Sequence, residues 1–206
     1  MYIPSHSTQN DSTILLEVMQ RHNFAVLVSN VDGAPYATHL PMFIRRDGDT
    51  FHIEGHFARA NPHWQALEVD PNALVIFQGP HTYISPSLLN NPKRVPTWNY
   101  IAVHASGLVK IDHAAEAKLL MLSKLIAQHE PDYQAQFDAM DTELSNRFVN
   151  AIVAFEMKVE KLEGKFKLDQ HRLADNSPEL WSLLEQGGEN ERGLAEWMKR
   201  LGYWPE

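Results

Sequence analysis

The sequence predicts an antiparallel β-barrel with peripheral helices, a mainly β arrangement of the α+β kind. Three observations carry this. Short segments alternate apolar and polar residues with a period of two, Asp-Gly pairs stand between them where tight hairpins need positive backbone angles, and helical stretches interrupt the strands without alternating one for one. Closure follows from the strand count, because six or seven antiparallel strands left open would expose two pairing edges.

Each element has its own warrant. Residues 12–22 form a helix, capped by Asp11 or Ser12, with Ile14, Leu15, Val18 and Met19 on one face. Residues 24–29, 36–44 and 50–54 read as strands, divided by Val31-Asp32-Gly33 and Arg46-Asp47-Gly48-Asp49. Residues 61–67 are a short helix with Pro62 in its first turn, followed by strands at 73–78 and 81–84. Residues 85–97 contain Pro86, Pro92 and Pro96 and no period, so they form a long loop of the kind that commonly carries function. A strand at 98–111 precedes a helix at 113–130 that Pro131 ends, and more helix runs to about residue 150. Residues 151–162 return to strand, and 178–186 with 191–201 are a helical pair broken at Gly187-Gly188. The expected organisation is a barrel domain over 1–172 and a C-terminal helical extension over 173–206.

Composition limits the chemistry. The 206 residues suffice for one domain with an appendage, and 44% hydrophobic with 10% aromatic residues exclude disorder as the main state. A net charge of -8 argues against direct nucleic-acid binding, and no helix-turn-helix with a basic face is visible. The helix at 113–130 sets Lys118 and Lys124 against Glu116 and Glu130, the pattern of a balanced solvated face. With no cysteine, thiolate catalysis, disulfides and Cys-ligated metals are excluded. No apolar run approaches the ~18–20 residues of a membrane span, and the amino terminus lacks the pattern of a secretory signal, so the expected compartment is the cytoplasm. His52 and His56 would stand ~13 Å apart along a strand, too far to share a metal ion.

Three segments could carry chemistry. Gly55-His56-Phe57-Ala58-Arg59-Ala60-Asn61-Pro62 joins strand to helix and places an imidazole, a guanidinium and helix-start amides together, either an anion cradle or a solvated turn. On the strand from residue 98, Trp98, Tyr100, Ala102 and His104 share one face and Asn99, Ile101 and Val103 the other; the aromatic face either lines a planar ligand or packs in the core. Residues 162–172 carry Lys165, Lys167 and Arg172 as either a solvated basic turn or an anion contact.

Taken together, Met1-Tyr2-Ile3-Pro4, Gly55-His56 with Ala58-Arg59-Ala60-Asn61-Pro62, Phe77-Gln78-Gly79-Pro80-His81 with Tyr83-Ile84-Ser85-Pro86, Val95 to Tyr100 with Val103-His104, and Glu163-Gly164-Lys165 with Lys167-Leu168 resemble the PaiB-type family. This is the FMN-binding negative transcriptional regulator group of the split-barrel flavin-binding superfamily, related to the pyridoxamine-phosphate-oxidase-like proteins. The resemblance implies a split barrel and a homodimer binding FMN, with either flavin redox chemistry or flavin-linked regulation as output. A cofactor-free interaction protein and a haem-binding split barrel are the alternatives. It also implies site residues: His56, Ala58, Arg59 and Asn61 at the FMN phosphate, Trp98, Asn99 and Tyr100 at the flavin ring, and His39, within Thr38-His39-Leu40-Pro41, on a strand flanking the ring. Lys165 and Lys167 are the further phosphate candidates. The sequence departs from its relatives at Leu88-Leu89, where they carry an aromatic pair, and at Asp169, whose charge opposes a phosphate role for that turn.

Overall fold

The structure is a computed structural model and describes residues 1–205. A 3-10 turn at Ser5–Ser7 leads into β1 (Thr8–Gln9) and α1 (Ser12–Arg21). The Asp11 carboxylate caps α1, accepting from the amides of Thr13 at 2.8 Å and Ile14 at 3.3 Å. The hairpin of β2 (Phe24–Val31) and β3 (Ala34–Pro41) turns on Asp32 and Gly33, with φ of 53° and 82°. Both positive angles are what Asp-Gly supplies in a two-residue turn. A second hairpin, β4 (Phe43–Asp47) with β5 (Thr50–Ala58), leads to α2 (His63–Val69). Then come β6 (Asn72–Ile84), β7 (Thr97–Asp112), α3 (Ala115–His129), α4 (Gln134–Asp138), α5 (Thr142–Ala151), β8 (Ile152–Lys167), α6 (Pro178–Gln186) and α7 (Glu189–Arg200).

The strands form one sheet in the order β3-β2-β6-β7-β8-β5-β4, with β1 on β8. The hydrogen-bonded path does not return on itself, so the barrel is not closed, and the arrangement is the split barrel that the resemblance implies, with β3 and β4 as its end strands. The β3 end still approaches β5: a Cβ on Gly55 of β5 would lie 3.4 Å from the Pro41 carbonyl of β3 and 2.8 Å from the Phe155 ring. Glycine lets the two backbones come this close without a ladder between them.

The chain divides into two compact units. One comprises Met19–Phe77 and His104–Leu162, and its buried side chains include Leu27, Met42, Ile53, Phe57, Val75 and Met157. The other comprises Met1–Val18, Gln78–Val103 and Glu163–Glu206. Here the alternation of the strands buries Ile84, Ile101, Val103 and Phe166. α7 packs on that side: Phe166 meets Trp197 edge to face at 5.7 Å, and Thr82 donates to Glu191. Gly193 permits the close approach, since a Cβ there would lie 3.0 Å from Pro80.

Other expectations change. The strand expected at 36–44 is interrupted at Met42, whose amide still pairs with the Asn23 carbonyl in the β2–β3 register, and yields β3 and β4 at opposite ends of the sheet. The strands expected at 73–78 and 81–84 are one strand, β6, which runs through Pro80. β8 runs through residues 163–167, so Lys165 and Lys167 stand on a strand and not a turn, held there by buried Gly164 and Phe166 between them. The loop at 85–97 starts with a 3-10 turn, Pro86–Leu88, and bridges Leu89 to Asn176. Its Arg94, buried at the head group, reaches Asp169 at 2.8 Å and Asp175 at 2.9 Å. No helix among the described residues is long and apolar enough to cross a membrane.

Gly107 is the tightest point of the sheet, because a Cβ there would stand 2.0 Å from the Lys158 carbonyl oxygen. Backbone cannot rotate away as a side chain can. Gly107→Ala is expected to cost about 1–3 kcal/mol or more, lowering Tm by about 2–4 °C per kcal/mol in a thermal melt. An unchanged Tm would show that β7 and β8 part freely there.

Candidate functional site

The residues singled out from the sequence fall five and five between the two units: His39, His56, Ala58, Arg59 and Asn61 in one, Trp98, Asn99, Tyr100, Lys165 and Lys167 in the other.

The first group is organised by a residue that sequence reasoning missed. His63, at the start of α2, is 0% exposed, and both ring nitrogens are used: Nε2 meets the Ser29 hydroxyl of β2 at 2.7 Å and Nδ1 the Thr38 hydroxyl of β3 at 2.8 Å. Asn61 donates to Thr38 Oγ1 at 3.2 Å and accepts from the His63 amide at 3.0 Å. Tyr36 and Phe57 pack on the ring at 4.9 and 5.5 Å. A neutral imidazole offers one donor and one acceptor, so the two hydroxyls must take opposite roles. Burial pushes the His63 pKa below its ordinary value.

Arg59 leaves β5 just before this network. Its Nε donates to the Asn150 carbonyl at 2.8 Å and an Nη to the Ile152 carbonyl at 3.4 Å, while its guanidinium lies 5.9 Å from the Trp64 ring centre. The Trp64 indole in turn donates to the Arg59 carbonyl at 3.0 Å. Among the described residues no carboxylate pairs with Arg59, so a positioned cation keeps donors free. The helix-start amides are less available than the sequence suggests, since Asn61 N donates to the Ala58 carbonyl and His63 N to Asn61. His56 is half-buried on the same strand, its pKa lowered by burial and its Nδ1 enclosed without a partner. Ala58 is exposed, and His39 is exposed on β3 with its ring 6.3 Å from Phe24.

α3 also departs from its expected solvated face. Lys118 is 3% exposed, and the Lys124 ammonium reaches Glu54, which Arg45 holds at 2.7 Å from the other side. Burial raises the Glu54 pKa, but these two cations outweigh it and leave the carboxyl below its ordinary range. An ionised, doubly held carboxylate is unsuited to proton transfer. Beside it lies a cavity of about 210 Å³ lined by Glu54, Lys110, Asp112, Met121 and Phe155.

In the second unit the strand alternation is as expected. Asn99 is buried, with its side-chain oxygen unpartnered, while Trp98 on the opposite face is 52% exposed. The aromatic face is therefore not core: Trp98 stands 6.1 Å from both His81 and Tyr83, two residues of the stretch that carried the family resemblance but were given no role. Lys165 lies 5.6 Å from the Tyr2 ring and 5.3 Å from the Tyr100 ring, and donates to the Tyr2 carbonyl at 3.0 Å. Lys167 donates to Thr97 Oγ1 at 2.6 Å and to the Trp98 carbonyl. Both lysines are thus already engaged within their unit. Asp169, read as adverse to an anion, faces Arg94.

This open antiparallel sheet with outer helices is the split-barrel class of fold. The flavocytochrome Anf3 from Azotobacter vinelandii shares it, with a TM-score of 0.61 at 14% identity over 80% of this chain and 72% of that one. An FAD and haem binding protein from Mycobacterium smegmatis shares it too, with a TM-score of 0.60 at 18% identity over 78% and 73%. Residues 1–161 match the family described as "Putative FMN-binding domain", and the chain is 35% identical over 204 residues to the protease synthase and sporulation protein PAI 2 of Bacillus subtilis, covering 98% of this chain and 96% of that protein. The chain belongs to this FMN-binding, PaiB-type family.

His63 sets a pH dependence. Its folded pKa lies below the unfolded value near 6.5, so its stabilising contribution is full above that pH and declines as pH falls, levelling once the folded imidazole itself protonates. Urea midpoints should therefore fall from pH 7 towards pH 5, and His63→Gln should show less of that slope. Equal slopes in the two proteins would clear His63 of the effect.

Proposed function

We propose that the chain binds FMN non-covalently at the group around Arg59, with the phosphate at Arg59 and His56 and the ring along the β3 edge at His39, and that it works as a dimeric, cytoplasmic flavin-dependent redox protein. The observation that carries this reading is the Arg59 guanidinium, anchored by two carbonyls, stacked on Trp64 and lacking any carboxylate partner among the described residues. An anchored cation with free donors suits a phosphate, because ordering the fork beforehand reduces what binding must immobilise. The unpartnered Nδ1 of His56 offers a further polar contact from the same strand. FMN bound here would supply the hydride or electron chemistry; the chain's residues supply binding and orientation. A net charge of -8 favours an indirect route to any regulatory role over direct contact with DNA. The exposed aromatics Trp98 and Tyr83 support a surface that a second copy would cover.

Two flavins separate these roles. Arg59→Ala should weaken FMN by roughly ten- to a hundredfold and leave riboflavin, which lacks the phosphate, nearly unchanged in a fluorescence titration. Parallel loss of both flavins in folded Arg59→Ala protein would remove Arg59 from the phosphate site. Sedimentation of the purified chain tests the dimer, and a monomer that binds FMN tightly would count against it.

A further inference from the structure

Residues 2–9 lie along β8 as an arm. β1 pairs with that strand, Thr8 opposite Lys165 and Gln9 opposite Gly164, and a Cβ on Gly164 would stand 2.8 Å from the Gln9 carbonyl oxygen. At the start of the arm Lys165 donates to the Tyr2 carbonyl at 3.0 Å, and its ammonium lies 5.6 Å from the Tyr2 ring and 5.3 Å from the Tyr100 ring. Tyr2 itself is 83% exposed, so polar contacts and not apolar burial hold that end. Between these two attachments stands a pair of histidines distant in sequence. His6, in the 3-10 turn Ser5–Ser7, meets His171, in the turn after β8, with ring centres 4.1 Å apart and planes inclined by 36°. Both residues are exposed, and residues 2–9 contain no Asp, Glu, Lys or Arg. The charges beside the arm on β8 are Lys165 and Glu163, which pairs with the Met1 amino group at 3.0 Å. Those acting on His171 are His6, Arg172, Arg94 and Asp169, and Asp169 is already paired with Arg94 at 2.8 Å. Partial burial, His6 and Arg172 lower the His171 pKa, Arg94 adds to them, and Asp169 opposes them only in part. Two imidazoles at this separation hold one positive charge readily, whereas a second is repelled.

We propose that residues 2–9 are a strap over Lys165 and Tyr100, latched by the contact of His6 with His171 and loosened by acid. Near neutral pH both rings are uncharged and stay together. As pH falls through the ordinary histidine range, the second proton enters only when the turn at His6 lifts from His171. The latch is therefore at full strength above about pH 6.5 and weakens below it, the sign for a histidine whose folded pKa is lowered. Lifting takes the Tyr2 carbonyl from Lys165 and turns the lysine's donors and the Tyr100 ring to solvent, on the strand face that also carries the exposed Trp98. The strap does not depend on which residues hold the flavin phosphate.

Amide hydrogen exchange on the full chain, corrected for the intrinsic rate at each pH, tests the latch. Excluding one proton from the closed arm predicts that protection of residues 7–9 falls about tenfold between pH 7.5 and 5.5. His6→Phe and His171→Phe keep a ring contact and take no proton, so each should change less than about twofold over that range. In an NMR titration the two imidazoles of the wild type should titrate in two separate steps. Covering of Lys165 is read with His6→Lys, which carries its charge at neutral pH. An activated ester at about pH 7.5 should acetylate Lys165 severalfold faster in that variant than in the wild type, measured by peptide mass spectrometry. Protection that is level with pH in the wild type, or that falls equally in both phenylalanine variants, would overturn the latch, as would two imidazoles titrating together at the ordinary value. Equal acetylation of Lys165 in wild type and His6→Lys would overturn the strap.

Discussion

An imidazole with no exposure and two hydroxyl partners is the constraint on which the first group of site residues depends. A buried ring nitrogen without a partner is costly, so His63 ties Ser29 of β2, Thr38 of β3 and the entry to α2 into one arrangement. Asn61 extends the tie to the backbone ahead of the helix. The segment from Arg59 to Trp64 is then fixed at both ends, by the Arg59 amide on the Ala151 carbonyl and by the Trp64 indole on the Arg59 carbonyl. Arg59 is aimed by this frame even though its own side chain is exposed.

Much of the fold was legible because its period is local. The alternation of Asn99, Ile101 and Val103 against Trp98, Tyr100 and Ala102 is written into successive residues, and so is the positive-angle turn at Asp32-Gly33. What was not legible depends on partners distant in sequence. The division of residues 34–47 into β3 and β4 follows from their pairing with different strands, and β6 runs through Pro80 between β2 and β7. The site followed the same division. Gly55 to Pro62 was visible as a cluster of chemistry-bearing types, but nothing adjacent marks His63 as buried or Lys118 as turned inward. In α3 the apolar residues fall on several sides, so the surface that the helix meets decides which side is covered.

The charges of the chain sort by whether they have been answered. Glu54 holds Arg45 and Lys124, and Glu156 takes a second hydrogen bond from Arg45 at 2.6 Å. Arg94 divides itself between two aspartates, one of which, Asp169, adopts a φ of 55°. That conformation is uncommon outside glycine but accessible to aspartate. These groups form closed circuits and leave little to offer a ligand. Arg59 stands outside any such circuit, a distinction that counting lysines and arginines in the sequence cannot make.

The Arg94 clamp gives the tail of the chain a duty that its position would not suggest. Both acids that hold Arg94, and Asn176, which bridges to Leu89, lie beyond Leu168. A chain shortened to end at Leu168 would keep every long strand yet lose these moorings of the proline-rich loop. Loop and tail are therefore tied to one another across the 81 residues that separate Arg94 from Asp175, so that the order of one depends on the presence of the other.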